Sequence, residues 1–335
     1  MLSALVMVPR IALPQQDAGE GRILDFLGFS PDAAASLDTK PKVIELEVPN
    51  RSRQASFAGM VRLPGSGSEL FPGPDSPPPF IKPSQVGYFS QPARIDNLAS
   101  LELADDDYGV LAECKPAKCR FKLDIRGIEE AESIDWKGPG ARADFLGWFR
   151  AFLLRSTAAY RSQGTAGLIT YADKKAPYPV ARGVRLLQEA AQPILSRYPA
   201  MQAALAGGPK ISSTAGPEGL RSDRMLWSVS DFGYRPTLSV GRVIISHESG
   251  ELGLGAAMAI QNIYANHYLA GRLQLGGVLR LRDRAGRTSE FFWLLDQILF
   301  DDELGSFKRS LLARGLKSEV QARLAEIRTK GASLP

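Results

Sequence analysis

The sequence predicts an α+β protein built on an antiparallel sheet, with helices inserted within it and one long helix at its C-terminus. Three observations carry this. Leu273, Leu275, Gly277, Leu279 and Leu281 alternate with Gln274, Gly276, Val278, Arg280 and Arg282, close to the period of two that marks a half-buried strand. Ala141 to Arg161 places Phe145, Trp148, Phe149, Phe152 and Leu153 on one helical face, and Gly164 ends the pattern. From Asp302 onward, Leu304, Phe307, Leu311, Leu316, Val320, Leu324 and Ile327 recur at helical spacing. That describes an amphipathic helix of about seven turns.

Taken in order, residues 1 to 40 lack periodicity and read as an irregular N-terminal segment, and residues 41 to 330 as one α+β domain. Lys42 to Val48 and Ala55 to Leu63 are expected strands. Residues 64 to 83 form a Pro/Gly-rich loop, either solvated or lying over something as a lid. Gln85 to Phe89 begins another strand. Asp105, Asp106 and Asp107 lack the spacing of an EF-hand and read as a solvated turn. Arg120 to Leu123 is short and extended, and the aromatic stripe of the helix that follows reads as core packing. Ala166 to Tyr171 is an expected strand, Ala181 to Arg197 a helix kinked at Pro193, and Tyr198 to Leu205 a second helix.

The C-terminal third reads as a meander of about four or five strands. Arg224 to Val229 and Thr237 to Ser246 come first, with a polar turn at His247 to Gly253. Glu290 to Leu299 comes last, after a turn at Asp283 to Gly286. Between them, Gln261, Ile263, Ala265, His267 and Leu269 alternate with Asn262, Tyr264, Asn266 and Tyr268. A regular strand would point His267 into the core and Tyr264 outward, with a break at Ala270–Gly271. Asp301 and Asp302 stand where acidic residues favour the start of the last helix.

Composition narrows the function classes. The 335 residues are 44% hydrophobic, enough for a sizeable core, and no apolar run is long enough to span a bilayer. The net charge of +5 is dispersed, with no dense Lys/Arg run interleaved with aromatics, which disfavours nucleic acid as a partner. Nucleotide-binding glycine motifs and a GxSxG elbow are absent, and two histidines leave little material for a triad or a zinc site. No metal or cofactor is expected. Cys114 and Cys119, five positions apart around a proline, are too few for a structural metal site. Their spacing favours a local disulfide, with two free thiols as the alternative. A disulfide implies a periplasmic or secreted protein, and free thiols a cytoplasmic one. Met1 to Val8 is apolar but short and lacks a preceding basic residue, so it is either the remnant of an export signal or an irregular N-terminus.

Three segments resemble an uncharacterised, often exported, group of bacterial proteins. They are the C-x4-C element with Lys122 and Leu123; Trp227, Ser228, Phe232, Gly233 and Pro236; and Ile263, Tyr264, Ala265, His267 and Tyr268. That resemblance implies no activity. The order of elements is also similar to that of START-like, helix-grip proteins, which wrap a curved sheet around the last helix and enclose an apolar ligand. The resemblance implies binding or carrying of an apolar small molecule or lipid, compatible with contact at a membrane surface. Gln261 and His267 are then the expected polar anchors, and Ile263 and Leu275 part of the apolar wall. Two alternatives stay open: an enzyme on the same fold using His267 as acid or base, and a scaffold subunit with no cavity.

Overall fold

A computed structural model describes residues 23–30, 37, 40–71, 78–207, 219–231, 235–247, 254–282 and 287–332. The strands are β1 (Lys42–Glu45), β2 (Gln54–Arg62), β3 (Gln85–Phe89), β4 (Thr170–Tyr171), β5 (Tyr178–Pro179), β6 (Leu220–Ser230), β7 (Thr237–His247), β8 (Leu254–Ala265), β9 (Leu269–Arg282) and β10 (Thr288–Phe300). The helices are α1 (Asp105–Ala112), α2 (Ile125–Glu132), α3 (Ala141–Gln163), α4 (Val180–Ala190), α5 (Gln192–Leu195), α6 (Pro199–Ala206) and α7 (Ser306–Ala332). The turns expected at 283–286 and after His247, most of the loop 207–219, residues 72–77 of the Pro/Gly-rich loop, and Phe232 and Gly233 lie outside the described residues.

Eight strands form one curved antiparallel sheet in the order β1-β2-β10-β9-β8-β7-β6-β3. β6 to β10 are consecutive neighbours, so the C-terminal third is the expected meander. The N-terminal strands extend it at both edges, β2 beside β10 and β3 beside β6. β4 and β5 make a separate small ladder.

Both faces of the sheet are covered. On one, Leu273, Leu275, Leu279, Trp293 and Leu295 pack against Leu187, Ile194, Leu195 and Met201 of α4 to α6. The same face continues under α3, where Phe145, Phe149 and Phe152 meet Trp227, Val240 and Tyr264. On the other face, Phe57, Val61, Phe292, Leu294 and Ile298 pack against Leu316, Val320, Leu324 and Ile327 of α7. Two glycines permit close approaches of helix and sheet. A Cβ on Gly183 of α4 would lie 2.5 Å from the Ala270 carbonyl oxygen in β9, and one on Gly59 of β2 would lie 2.5 Å from Leu324 Cδ1 in α7.

Several expectations change. The acidic triplet is no turn: Asp105, Asp106 and Asp107 form the first turn of α1, where carboxylates oppose the partial positive charge of the helix end. α7 begins at Ser306 rather than at Asp302, which leaves Asp301 and Asp302 in the connection. Leu311 is not buried; it is 52% exposed, because the stripe facing the sheet starts at Leu316. Tyr264 does not face outward, for the reason given next.

Candidate functional site

The alternation in β8 is broken by a bulge. Val240 pairs with Tyr264 and Gly241 with Asn262, so Ile263 is the extra residue. Beyond it the parity reverses. Tyr264 turns into the aromatic layer and donates its hydroxyl to the Lys122 carbonyl oxygen at 2.8 Å, while Ala265 packs on the α7 face. β8 then ends at Ala265, and Asn266 to Tyr268 form the hairpin tip, with Tyr268 in the left-handed region at φ 53°. The expected break at Ala270–Gly271 lies inside β9.

His267 is therefore on a turn, yet only 3% exposed. Its Nδ1 lies 3.0 Å from the Arg120 carbonyl oxygen and its Nε2 2.7 Å from Asp107 Oδ1. A carbonyl oxygen only accepts, so Nδ1 carries hydrogen and donates. The second contact needs one more proton, held either by an imidazolium facing a carboxylate or by an Asp107 carboxyl group facing a neutral ring. Lys122 N–H donates to the Asn266 carbonyl oxygen, so the hairpin tip is clamped between α1 and the segment after the cysteines. Cys114 and Cys119 are joined by a disulfide that closes this segment, with Cα atoms 4.5 Å apart. The Ala117 and Cys119 amides donate to the carbonyl oxygens of Ala172 and Asp173.

The other three expected ligand residues are equally enclosed. Gln261 Oε1 accepts from Gln188 Nε2 of α4 at 2.8 Å, Ile263 belongs to the aromatic cluster, and Leu275 is fully buried under α4 to α6. None of the four borders either of the two clefts described below. Each is instead surrounded by its own chain.

Those clefts meet where β10 leaves the sheet. The first, of about 560 Å³, is lined by Arg53, Lys122, Asp173, Lys174, Tyr178 and Arg182, and by Asp301, Asp302 and Glu303. The second, of about 640 Å³, is lined by Leu269, Ile298, Phe300, Leu304, Leu312 and Leu316, under a rim that includes Tyr268, Lys308 and the same acidic run. Arg53, Phe300, Asp301, Asp302 and Glu303 belong to both.

Backbone hydrogen bonds hold the frame. Phe300 N–H donates to the Arg53 carbonyl oxygen, Leu304 N–H to Ser52 and Asp301 N–H to Tyr268. The β1–β2 loop, the β8–β9 tip and the start of α7 are thus tied to one connection. Arg309 of α7 adds an ion pair to Glu45 at 2.8 Å.

Along the first cleft runs a charge ladder that is buried at Lys122 and exposed at Asp302. Lys122, 3% exposed at its side chain, reaches Asp301 at 2.9 Å. Lys174 reaches Asp301 at 3.2 Å and Asp302 at 2.6 Å. The Lys122 ammonium also lies 4.3 Å from the centroid of the Tyr171 ring, a cation–π arrangement. Burial pushes the Asp173 carboxyl group above the usual carboxylate range, against the pull of Lys122. These groups largely compensate one another. The Tyr178 hydroxyl differs: it is shielded from solvent and finds no hydrogen-bond partner among the described residues.

None of these cleft residues was singled out from the sequence as a ligand group. They come from five separate stretches, near 53, 122, 173–182, 269 and 298–316. The sequence drew attention only to Asp301 and Asp302, and read them as a helix start. Among the described residues no group of three or more His, Cys, Asp or Glu side chains is placed to hold a metal ion, and no helix is long and apolar enough to cross a membrane. No protein-family model matches the chain, and comparison with curated proteins gives no match.

Proposed function

We propose that the protein binds an amphipathic small molecule or lipid, with the apolar part of the ligand between the end of β10 and the first half of α7. The observation that carries this reading is the second cleft. Its floor is aliphatic and aromatic, its rim is charged, and its volume of about 640 Å³ lies within the range of small-molecule sites. Leu311 and Leu312 continue the apolar character along the outer part of α7, which gives a chain-like ligand a route in from solvent or from a membrane surface. The similarity of element order to helix-grip proteins points to the same ligand class by analogy of architecture. The Cys114–Cys119 disulfide favours a periplasmic or secreted setting for this binding.

The test is uptake of a fluorescent fatty-acyl probe, paired with organic extraction of the purified protein and mass spectrometry. Leu312→Arg places a charge in the cleft at a half-buried position. It is expected to abolish uptake while leaving the melting temperature within a few degrees of the parent. Equal uptake by the variant, or no uptake by the parent, would remove this reading.

A further inference from the structure

The two clefts differ in what their polar groups still lack, and this bears on the head group of the ligand proposed above. In the first cleft, Asp301 and Asp302 are matched by Lys122 and Lys174. Arg182 is not matched: it lines the cleft from the first turn of α4 and forms no ion pair among the described residues. Arg53 has one loose partner, Glu303 at 3.8 Å, and both side chains are substantially exposed. The partnerless Tyr178 hydroxyl belongs to the same cleft lining as both arginines. The start of α4 adds to the same sign. Its N-cap is Pro179, no side chain caps it, and no acidic residue occupies its first turn. The Val180 N–H already donates to the Ile169 carbonyl oxygen, so it is the helix dipole that favours an anion here.

The groups here that lack a close partner, Arg182 and the Tyr178 hydroxyl, are thus a cation and a donor, and the apolar cleft adjoins them through Arg53 and Phe300. We infer that the ligand is an acidic amphiphile, its carboxylate or phosphate held by Arg53, Arg182 and Tyr178 and its chain lying on Phe300, Leu304 and Leu312. A forked guanidinium suits a two-oxygen anion, and a hydroxyl donor completes the set. A neutral head would leave Arg182 without an anion, and a cationic head would be repelled by it.

This inference rests on the binding reading above, and the experiment separates the two. The full chain is titrated with a fluorescent long-chain carboxylic acid, with its methyl ester, and with an alkyltrimethylammonium ion of the same chain length. The acid is expected to bind most tightly. Arg182→Gln is expected to weaken the acid by about tenfold or more and leave the ester unchanged. Tyr178→Phe should weaken the acid by a smaller factor, again without effect on the ester. A monoalkyl phosphate, run beside the acid, tells which anion the site prefers. If ester and acid bind equally, or if Arg182→Gln weakens both alike, the head-group assignment falls while the apolar cleft stands. If the ammonium ion binds best, the acidic run of residues 301–303 sets the preference instead and the assignment is overturned. If no probe binds, both readings fall together.

Discussion

Arg242 shows what a buried charge requires in this protein. Only 1% exposed, it reaches Asp223 through two nitrogens, at 2.8 and 2.6 Å, and donates to the carbonyl oxygens of Ala204 and Gly207 at the end of α6. A cation there satisfies helix-terminal carbonyls that have no intrahelical partner. Removing it strands Asp223, so Arg242→Ala is expected to cost about 3–5 kcal/mol in urea unfolding. Arg242→Lys keeps the charge but loses the fork and should fall between. A loss under about 1 kcal/mol for the alanine variant would mean that water replaces the guanidinium. Glu319 of α7 makes a pH-dependent case. Burial raises its carboxyl group above the usual range; Asp296 adds to this, and Arg272 and Arg323 oppose it. The folded chain therefore holds this proton more tightly than the unfolded chain. The resulting stabilisation is complete below the unfolded value and is lost as pH rises through the folded one. Glu319→Gln is expected to gain in melting temperature relative to the parent between acidic and neutral pH. A gap that does not change with pH would contradict this.

At the scale of the element, α7 divides into two parts. From Leu316 to Ile327 it is a core helix, and Leu324 sits directly over Gly59. Leu324→Ala should cost about 2–5 kcal/mol, since deleting buried methyl groups forfeits both transfer energy and packing. Leu311→Ala, on the exposed part, should change stability by no more than about 0.5 kcal/mol. Denaturant midpoints measured side by side decide it; a Leu311 effect as large as that of Leu324 would show the first half of α7 to be packed as well. The hairpin tip of β8 and β9 is the second element of note. His267 joins α1 to the segment after the disulfide, so His267→Leu leaves both Asp107 and the Arg120 carbonyl oxygen unpaired. A destabilisation of about 1–3 kcal/mol per stranded group is expected in thermal unfolding. An unchanged melting temperature would show that water satisfies them.

Over the whole molecule, the central fact is that both faces of the sheet are covered, by α7 on one and by α3 to α6 on the other. A chain ending before Ser306 would uncover Phe57, Val61, Phe292, Leu294 and Ile298 at once. It is expected to aggregate rather than to melt cooperatively, and a soluble, cooperatively unfolding truncation would show that α7 is an appendage. The disulfide acts on a much smaller scale. It closes a loop with a sequence separation of 5. Loss of chain entropy grows with loop length, so reduction should cost less than the roughly 3 kcal/mol of a 15-residue loop. Reagent titration of the unreduced protein should find no free thiol, and two would contradict the pairing.

The α+β class, the meander, the aromatic helix α3 and the long C-terminal helix were legible in the sequence because each repeats a local period over many residues. The alternation of Leu273, Leu275, Leu279 and Leu281 lies on one buried face as read, and the cysteines are paired as their spacing favoured. The single inserted residue at Ile263 was not legible, because a bulge depends on what the neighbouring strand offers and leaves no mark in the period of its own. That one residue reversed Tyr264, and the hairpin tip that follows put His267 into a turn closed by α1. The clefts were invisible for a similar reason. Arg53, Lys122, Arg182, Phe300 and Leu312 are far apart in the chain. Only the packing of the β1–β2 loop, the disulfide segment, α4 and α7 around the end of β10 brings their side chains to one place, and that packing is a tertiary choice no local pattern encodes.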